Sequence, residues 1–471
     1  MRPRGQADNL LLFLAFFWRN PTWTRLRLGF PVHLKQPKHM LDDRPQPEVV
    51  YVERIAPGGD GLGRLPQGEL VFIKAAAPGD QIEVGNVTRR KGIAHGEIRS
   101  VLQSGPERIE PICPITSSCG GCNLMHLSLE GQRQAKFEIL DDAFRRVGGG
   151  LPLPEKIEFV RLGDGLAYRS RLRLHVDRNG RVGFLSPRSK QVVPVERCLV
   201  AEPLLNTALA GLAVLSDEAR RLLQLCDQLE LRASELEPRL IARLIPKPKV
   251  SLQARHFVSP FPPDTRVVVE GSVDDAQVLQ HYHLPDDVLL SVPACAFTQI
   301  NQGINVSLVR DLVKAVKLRS LHSFVDAYAG SGNFTLPLLA ADLVGESIDC
   351  AAAGILAARS VARDRGLPFD GFQVGDAKVL LESFVRARRR FDLVLLDPPR
   401  HGAKDVLPVA LRLQPQCIAI VACDPVSLAR DVASLVAAGG TIEQLTVYDM
   451  FPQTHHMEVL AIVEMPVGSA P

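Results

Sequence analysis

Phe324-Val325-Asp326-Ala327-Tyr328-Ala329-Gly330-Ser331-Gly332-Asn333-Phe334 is the stretch that decides the fold. An apolar start, an acid, two glycines and a resumed apolar pattern describe a buried strand turning tightly into a helix. Glycines at such a turn let the backbone approach a ligand at the helix N-terminus. Asp349 follows Asp326 by 23 residues and closes the apolar run Leu343 to Ile348. An acid at that place is the usual acceptor for a ribose hydroxyl; Glu346, three residues earlier, is its rival.

Working outward, strand, glycine loop and helix alternate from Ser323 onward, the pattern of a parallel α/β domain of Rossmann-like, doubly wound type. Asn333 to Leu336 run directly into the helix, without the third glycine of the dinucleotide pattern. That favours S-adenosylmethionine (AdoMet) over NAD. Asp376 follows Phe372-Gln373-Val374, and Asp397 follows Phe391 to Leu396. Acids at the carboxyl ends of strands face the crevice where such sheets bind ligands.

Two further residues carry chemistry. Cys423 ends the strand Ile418-Ala419-Ile420-Val421-Ala422 on the same rim as Asp397, and Asp424-Pro425 follows it. A thiol nucleophile needs an acid or base partner. Glu458, ahead of the apolar strand Val459 to Val463, is the candidate. Cys226, Cys295, Cys350 and Cys417 read as inert core residues. Cys113-x5-Cys119-x2-Cys122 has spacing suited to zinc or an iron–sulfur cluster, with His126 or the distant Cys198 as fourth ligand. The spacing alone does not choose between them.

Toward the N-terminus, Val49 to Ile55, Val71-Phe72-Ile73 and Ile82 to Val87 read as short strands. They are separated by the glycine-dense Pro57 to Arg64 and by Pro78-Gly79-Asp80, and suggest a small β-barrel. Leu127 to Arg146 has helical periodicity and stops at Gly148-Gly149-Gly150. Residues 151–290 read as mixed, with strands around Leu172 to Val176 and Gly183-Phe184 and a polar helix over about Leu204 to Leu231.

Phe297-Thr298-Gln299-Ile300-Asn301, Asp326 to Pro337, Asp397-Pro398-Pro399-Arg400-x-Gly402, Cys423-Asp424-Pro425 with Leu428-Ala429-Arg430-Asp431, and Phe451-Pro452-x-Thr454-x-His456-x-Glu458 occur in this order over residues 297–458. In this the chain resembles the RNA uracil-5-methyltransferase family, in particular its ribosomal RNA members with an iron–sulfur cluster. The resemblance implies that Cys423 adds to uracil C6 and that Glu458 removes the C5 proton. It places AdoMet on Gln299, Tyr328, Asn333, Asp349, Asp376 and Asp397. Through Cys-Pro-x4-Cys-Gly-Gly-Cys and an isolated central cysteine, it implies a [4Fe–4S] cluster on Cys113, Cys119, Cys122 and Cys198. The glycine-rich β segment resembles the family's RNA-binding TRAM barrel, so that about 47–464 is covered. The implied architecture is an unassigned extension (1–46), a TRAM/OB-like barrel (47–105), an iron–sulfur loop with a mixed α+β central domain (106–290), and an AdoMet-dependent methyltransferase domain (291–471). Barrel and cysteine cluster together point to 23S ribosomal RNA rather than transfer RNA. The alternatives are a transfer RNA enzyme, an enzyme of this fold on another substrate, and a non-catalytic RNA-binding assembly factor.

Composition excludes much else. The chain has 471 residues, 46% of them hydrophobic and 23% charged, as in an ordinary folded domain protein. Its net charge of +3 belongs to residues 1–46, which hold eight Lys/Arg against three Asp/Glu, leaving −2 on the rest. Net charge therefore gives no argument for RNA. Three local basic runs exist: Arg89-Arg90-Lys91, Arg169-x-Arg171-x-Arg173 and Arg386-x-Arg388-Arg389-Arg390. The first two lie in the RNA-handling segments, and the third reads as a solvated face. Leu10 to Trp18 is too short to span a bilayer and lacks a small-residue cleavage pattern. One explanation of the extension is an over-extended start, with Met40 the true initiator; N-terminal sequencing that finds Met1 would refute it. Nine cysteines, an odd number, speak for a reducing compartment. A cytoplasmic monomer without a membrane partner is the expectation.

Overall fold

Alternating burial builds the N-terminal element of the chain, whose computed structural model describes residues 48–253 and 261–466. In β1 (Glu48–Ile55), Val50, Val52 and Ile55 point inward while Val49, Tyr51 and Glu53 face out. With β2 (Gly61–Arg64), β3 (Leu70–Ile73), β4 (Gln81–Arg90) and β5 (Ile93–Gln103) it closes a barrel in the order β1-β2-β3-β5-β4. Gly59 in the β1–β2 turn has φ of 87°, a left-handed value that favours glycine. At the barrel's base Asp80 is buried and accepts hydrogen bonds from Ala77 N (2.6 Å), Gly105 N (2.9 Å) and Arg108 (2.6 Å to Nη2). Burial alone would raise its pKa, but these donors outweigh it and hold the carboxyl below its ordinary value. The extension and its Met40 start lie outside the described residues.

A loop carrying Cys113, Cys119 and Cys122 follows. It leads into α1 (Leu129–Arg146), capped by Ser128, whose hydroxyl accepts from Gly131 N at 3.0 Å. The chain then gives a short strand, β6 (Glu158–Val160), to the edge of the C-terminal sheet before entering the central region.

The central region is a six-stranded sheet in the order β12-β11-β10-β7-β8-β9. Its strands are β7 (Arg171–Val176), β8 (Val182–Leu185), β9 (Val192–Pro194), β10 (Cys226–Ala233), β11 (Leu240–Pro246) and β12 (Thr265–Val269). Leu172, Leu174, Leu229, Leu231 and Leu244 cluster with residues of α2 (Pro203–Ala213) and α3 (Asp217–Leu223). The predicted single helix over 204–231 is thus two short helices and a strand. Val214-Leu215-Ser216 breaks it, with Ser216 capping α3, and from Cys226 the β-sheet pairing with β7 and β11 overrides local helical character. The sheet's other face gathers Arg171, Arg173, Arg232 and Arg243 around the buried Glu230, with Arg232 nearest at 2.6 Å.

After α4 (Val273–Gln277) and the hairpin β13 (Leu279–Leu284) and β14 (Val288–Pro293), α5 (Gln302–Leu318) opens the α/β unit. Its strands are β15 (Ser323–Ala327), β16 (Val344–Asp349), β17 (Phe372–Val374), β18 (Leu393–Leu396), β19 (Cys417–Ala422), β20 (Thr441–Tyr448) and β21 (Glu458–Glu464). They are linked by α6 (Thr335–Ala340), α7 (Ala352–Asp364), α8 (Ala377–Arg386), α9 (Leu407–Leu411) and α10 (Pro425–Ala437). The sheet order is β17-β16-β15-β18-β19-β21-β20-β6. Strands β15 to β19 are parallel and β21 is antiparallel to β19. Because five parallel strands end together, their carboxyl ends make one rim, and the start of β21 meets it. Among the described residues no helix is long and apolar enough to cross a membrane.

Candidate active site

Register alone assembles the rim. Ala327 pairs with Ile348 on one side and Leu396 on the other, so the next residues along are Tyr328, Asp349 and Asp397. On the antiparallel side Ala422 pairs with Val459. Just past that pair lie Cys423, the residue after β19, and Glu458, the first residue of β21, whose charge acts on the Cys423 thiol.

The glycine turn forms a pocket lined by Phe297, Gln299, Tyr328, Gly330, Asn333 and Asp397, among others. Four of the six cofactor residues expected from the sequence thus line one cavity. Tyr328 (φ 76°), Gly330 (57°) and Gly332 (82°) carry the chain through left-handed conformations there. Asp349 orders the turn: its carboxylate accepts from Gly330 N at 2.9 Å and from Ala351 N at 2.7 Å. Its rival Glu346 lies inside β16, bound to Arg389 at 2.6 Å and to Gln373 at 2.6 Å, off the rim. Asp376 caps α8 through Val379 N at 3.0 Å and is exposed. It acts electrostatically on Tyr328.

Acids dominate the floor of this site. Asp326 is buried, accepts from Thr335 Oγ1 at 2.6 Å, and leaves its other oxygen without a partner. Burial, with Asp349 nearby, raises its pKa to about 7. Asp397 is raised to about 7 by burial and by the charges of Asp326 and Asp349. Such a floor suits a cation, and AdoMet carries a permanent sulfonium. The glycine turn and the acidic lining therefore suit AdoMet.

Next to the floor, burial and the negative charge of Glu458 push the Cys423 thiol up to about 11, opposed by Arg400. Burial, with Asp397, raises Glu458 well above an ordinary carboxylic acid. A high carboxyl pKa in a dry site is what a base working near neutrality needs. The loop before Glu458 brings His455 and His456 together, with ring centroids 4.0 Å apart. Burial depresses both, to about 4 and about 3, so they are neutral.

Cys113, Cys119, Cys122 and Cys198 line one cavity of about 160 Å³, together with Arg169, Arg173 and Arg197. Cysteines separated by up to 85 positions are therefore neighbours in space. His126 takes no part in it: it is buried under the barrel with Nε2 3.3 Å from Ala76 O. Burial and the neighbouring sulfurs raise Cys122 to about 12, against the pull of Arg169. Among the described residues no three His, Cys, Asp or Glu side chains are arranged to hold a single metal ion.

Of the cysteines expected in the core, Cys226 and Cys417 are buried, whereas Cys295 and Cys350 are exposed. Both exposed thiols sit just past strand ends, where an apolar neighbourhood in sequence no longer means burial. Arg386 ends α8 and Arg388 to Arg390 lie between it and β18, at the amino end of that strand and away from the rim. Arg90 and Lys91 are exposed at the β4–β5 hairpin.

Sequence reasoning missed several residues. Asn305 of α5 exchanges two hydrogen bonds with Asn333, at 2.8 and 3.0 Å, and so fixes a residue of the pocket lining. Lys136 of α1 is fully buried against Asp449 at 2.5 Å, and Arg161 reaches the same carboxylate at 2.7 Å. A lysine in an amphipathic helix looks like a surface residue, and only its distant partner shows otherwise.

Residues 377–465 match the family model described as tRNA (Uracil-5-)-methyltransferase. The chain is 34% identical over 433 residues to a 23S rRNA (uracil(1939)-C(5))-methyltransferase, RlmD, of Chromohalobacter salexigens, covering 88% of each. It is 32% identical over 410 residues to the RlmD of Aeromonas salmonicida, covering 82% of this chain and 89% of that one. In fold it resembles a Pyrococcus abyssi tRNA (uracil-54, C5)-methyltransferase solved with S-adenosyl-L-homocysteine, with a TM-score of 0.66, 23% identity, and coverage of 88% of this chain and all of that one. Identity of this level over nearly the whole length, on a methyltransferase sheet whose rim joins an acidic cofactor pocket to Cys423 and Glu458, places the chain in the RNA uracil-5-methyltransferase family.

Proposed function

We propose that the protein methylates C5 of a specific uridine in 23S ribosomal RNA, with Cys423 as nucleophile and Glu458 as base. The observation that carries this reading is the meeting of Cys423 and Glu458 just past the Ala422–Val459 pair, both within electrostatic reach of Asp397 in the cofactor pocket. Uracil C5 is a poor nucleophile. Addition of the Cys423 thiolate to C6 forms a C–S bond and pushes an electron pair toward C5, which then takes the methyl group. Bound AdoMet would supply that methyl as an electrophile, the methyl–sulfur electron pair staying on sulfur as S-adenosylhomocysteine leaves. Glu458 accepts the proton displaced from C5, the C5–C6 double bond re-forms, and the C–S electron pair returns to Cys423. Arg400 favours the thiolate at the start of this cycle and at its end. The target base must be turned out of its stack, since C5 and C6 are otherwise out of reach.

Gln299, Tyr328, Asn333, Asp349, Asp376 and Asp397 are the proposed AdoMet residues. Cys113, Cys119, Cys122 and Cys198 are the proposed ligands of a [4Fe–4S] cluster. Four free thiols around a void roughly ten times the ~10–15 Å³ that one water needs suit a cluster better than a single ion, with Arg169 offsetting thiolate charge. A bound cluster would supply a structural pin. The barrel (47–105) is then a TRAM-type RNA-binding module, 106–290 the cluster loop and central domain, and 291–471 the catalytic domain. A cytoplasmic enzyme active as a monomer fits this reading, as does ribosomal RNA in place of transfer RNA, since the RlmD relatives match over most of their length.

Mass-spectrometric mapping of ribosomal and transfer RNA from a deletion strain tests the substrate. One 5-methyluridine missing from 23S ribosomal RNA is the expected result. Loss from transfer RNA alone would replace the reading with the transfer RNA alternative. An unchanged methylation pattern would favour an assembly factor.

A further inference from the structure

The loop that delivers Glu458 is held from outside the sheet it belongs to. Between Asp449 and His455, one polar group after another is satisfied by residues 123–168. Asp449 receives Lys136 and Arg161. Phe451 O also accepts from Lys136, at 3.2 Å, and Pro452 O from Tyr168 Oη, at 3.0 Å. Gln453 exchanges bonds with the Gln132 side chain at 2.9 and 3.0 Å, and its carbonyl accepts from Leu124 N at 3.0 Å. His455 is clamped twice by Asn123: its backbone N–H donates to Asn123 Oδ1 at 3.1 Å, and its ring Nδ1 lies 2.8 Å from Asn123 Nδ2. The same Nδ2 donates to Gly58 O of the barrel turn at 2.8 Å. A Cβ on Gly59 would strike the Asn123 amide at 2.3 Å, so glycine there leaves room for the clamp.

Both ends of this scaffold touch the cysteine cavity. Asn123 directly follows Cys122, and Tyr168 Oη accepts from Nε of Arg169, which lines the cavity, at 3.3 Å. We infer that Asn123 and Tyr168 are positioning residues, through which the cysteine site sets the placement of the 449–457 loop and hence of Glu458. The inference rests on Glu458 acting as the base.

Its test separates the two halves of the cycle. Adduct formation on RNA bearing 5-fluorouridine requires Cys423 and methyl transfer but no proton removal, because fluorine replaces the C5 hydrogen. For Asn123→Ala and Tyr168→Phe, kcat on natural RNA should fall about 10- to 100-fold, the size of loss that small misplacements cause. KM for RNA and AdoMet and the rate of the fluorouridine adduct should stay within about threefold of wild type on the same scale. Hydrogen exchange of peptide 449–457 should rise in both variants and also in Cys122→Ala, a readout independent of turnover. An unchanged kcat, an adduct rate that falls as far as kcat, or unchanged exchange in 449–457 would overturn the inference. If wild-type protein forms neither 5-methyluridine nor adduct, it is instead the proposed function that fails.

Discussion

The rim of the cofactor pocket and the loop before Glu458 are adjacent but are built in opposite ways. At the rim, Tyr328, Asp349, Asp397 and Cys423 each follow the last residue of a strand or close it, and register between neighbouring strands brings them together. The loop before Glu458 has no such regular frame. Its side-chain ties reach partners 313, 321 and 332 positions away: Lys136 to Asp449, Gln132 to Gln453, and Asn123 to His455. The rim is local grammar repeated along a sheet. The loop is a set of long-range bonds, each of which desolvates polar groups that must then be fully satisfied.

Breaking the rim's chemistry should leave the scaffold standing. Cys423→Ala removes the proposed nucleophile, and methylation should drop by about four orders of magnitude or more, with thermal stability close to wild type. Retained uracil methylation would end the covalent mechanism; a collapse in stability would show that the rim is not separable from the fold.

Breaking the loop's scaffold should do the reverse. Lys136→Met leaves Asp449 buried with one partner fewer, which costs about 3–5 kcal/mol when a buried pair is broken from one side. Chemical denaturation should report that loss. AdoMet affinity should change little, because the cofactor pocket makes no use of α1. If AdoMet binding fell in step with stability, the two regions would not be distinct units.

The smallest effect sharpens the electrostatics of the rim. Burial, with the neighbouring carboxylates, raises Asp326 and Asp397 to about 7, above an ordinary value of about 4. A carboxyl whose folded pKa is raised holds its proton more tightly when folded. Its stabilising contribution is full below the unfolded value and is lost as pH rises through about 7. A bound sulfonium favours the ionised forms. AdoMet should therefore bind tighter at pH 8 than at pH 6, by up to about tenfold for each unit of pKa change. Asp397→Asn should flatten that slope. Calorimetry showing equal affinity at both pH values would contradict the role assigned to the acidic floor.

The same contrast explains what could be read from the sequence. The glycine turn, the strand-ending acids and Cys423 were legible because each lies within a short apolar pattern whose period gives its place. The fourth proposed cluster ligand, Cys198, needed the family resemblance, while His126, its rival, is bound to Ala76 and does not line the cavity. The helix expected over 204–231 failed where pairing across the sheet outweighed local preference. Lys136, Asn123 and Asn305 could not be found, since nothing near them in sequence announces their partners. Net charge was uninformative: the excess lies in residues 1–46, and the third basic run is on the face away from the rim.

Cys423 and Glu458 are the residues proposed to methylate uracil C5 using AdoMet. Purified protein incubated with methyl-labelled AdoMet and unmodified 23S ribosomal RNA tests that proposal most directly, with nucleosides separated after digestion. Label confined to 5-methyluridine in the wild type, and absent with Cys423→Ala, is the predicted result. Label on another nucleoside, or 5-methyluridine formed equally well by Cys423→Ala, would contradict the account.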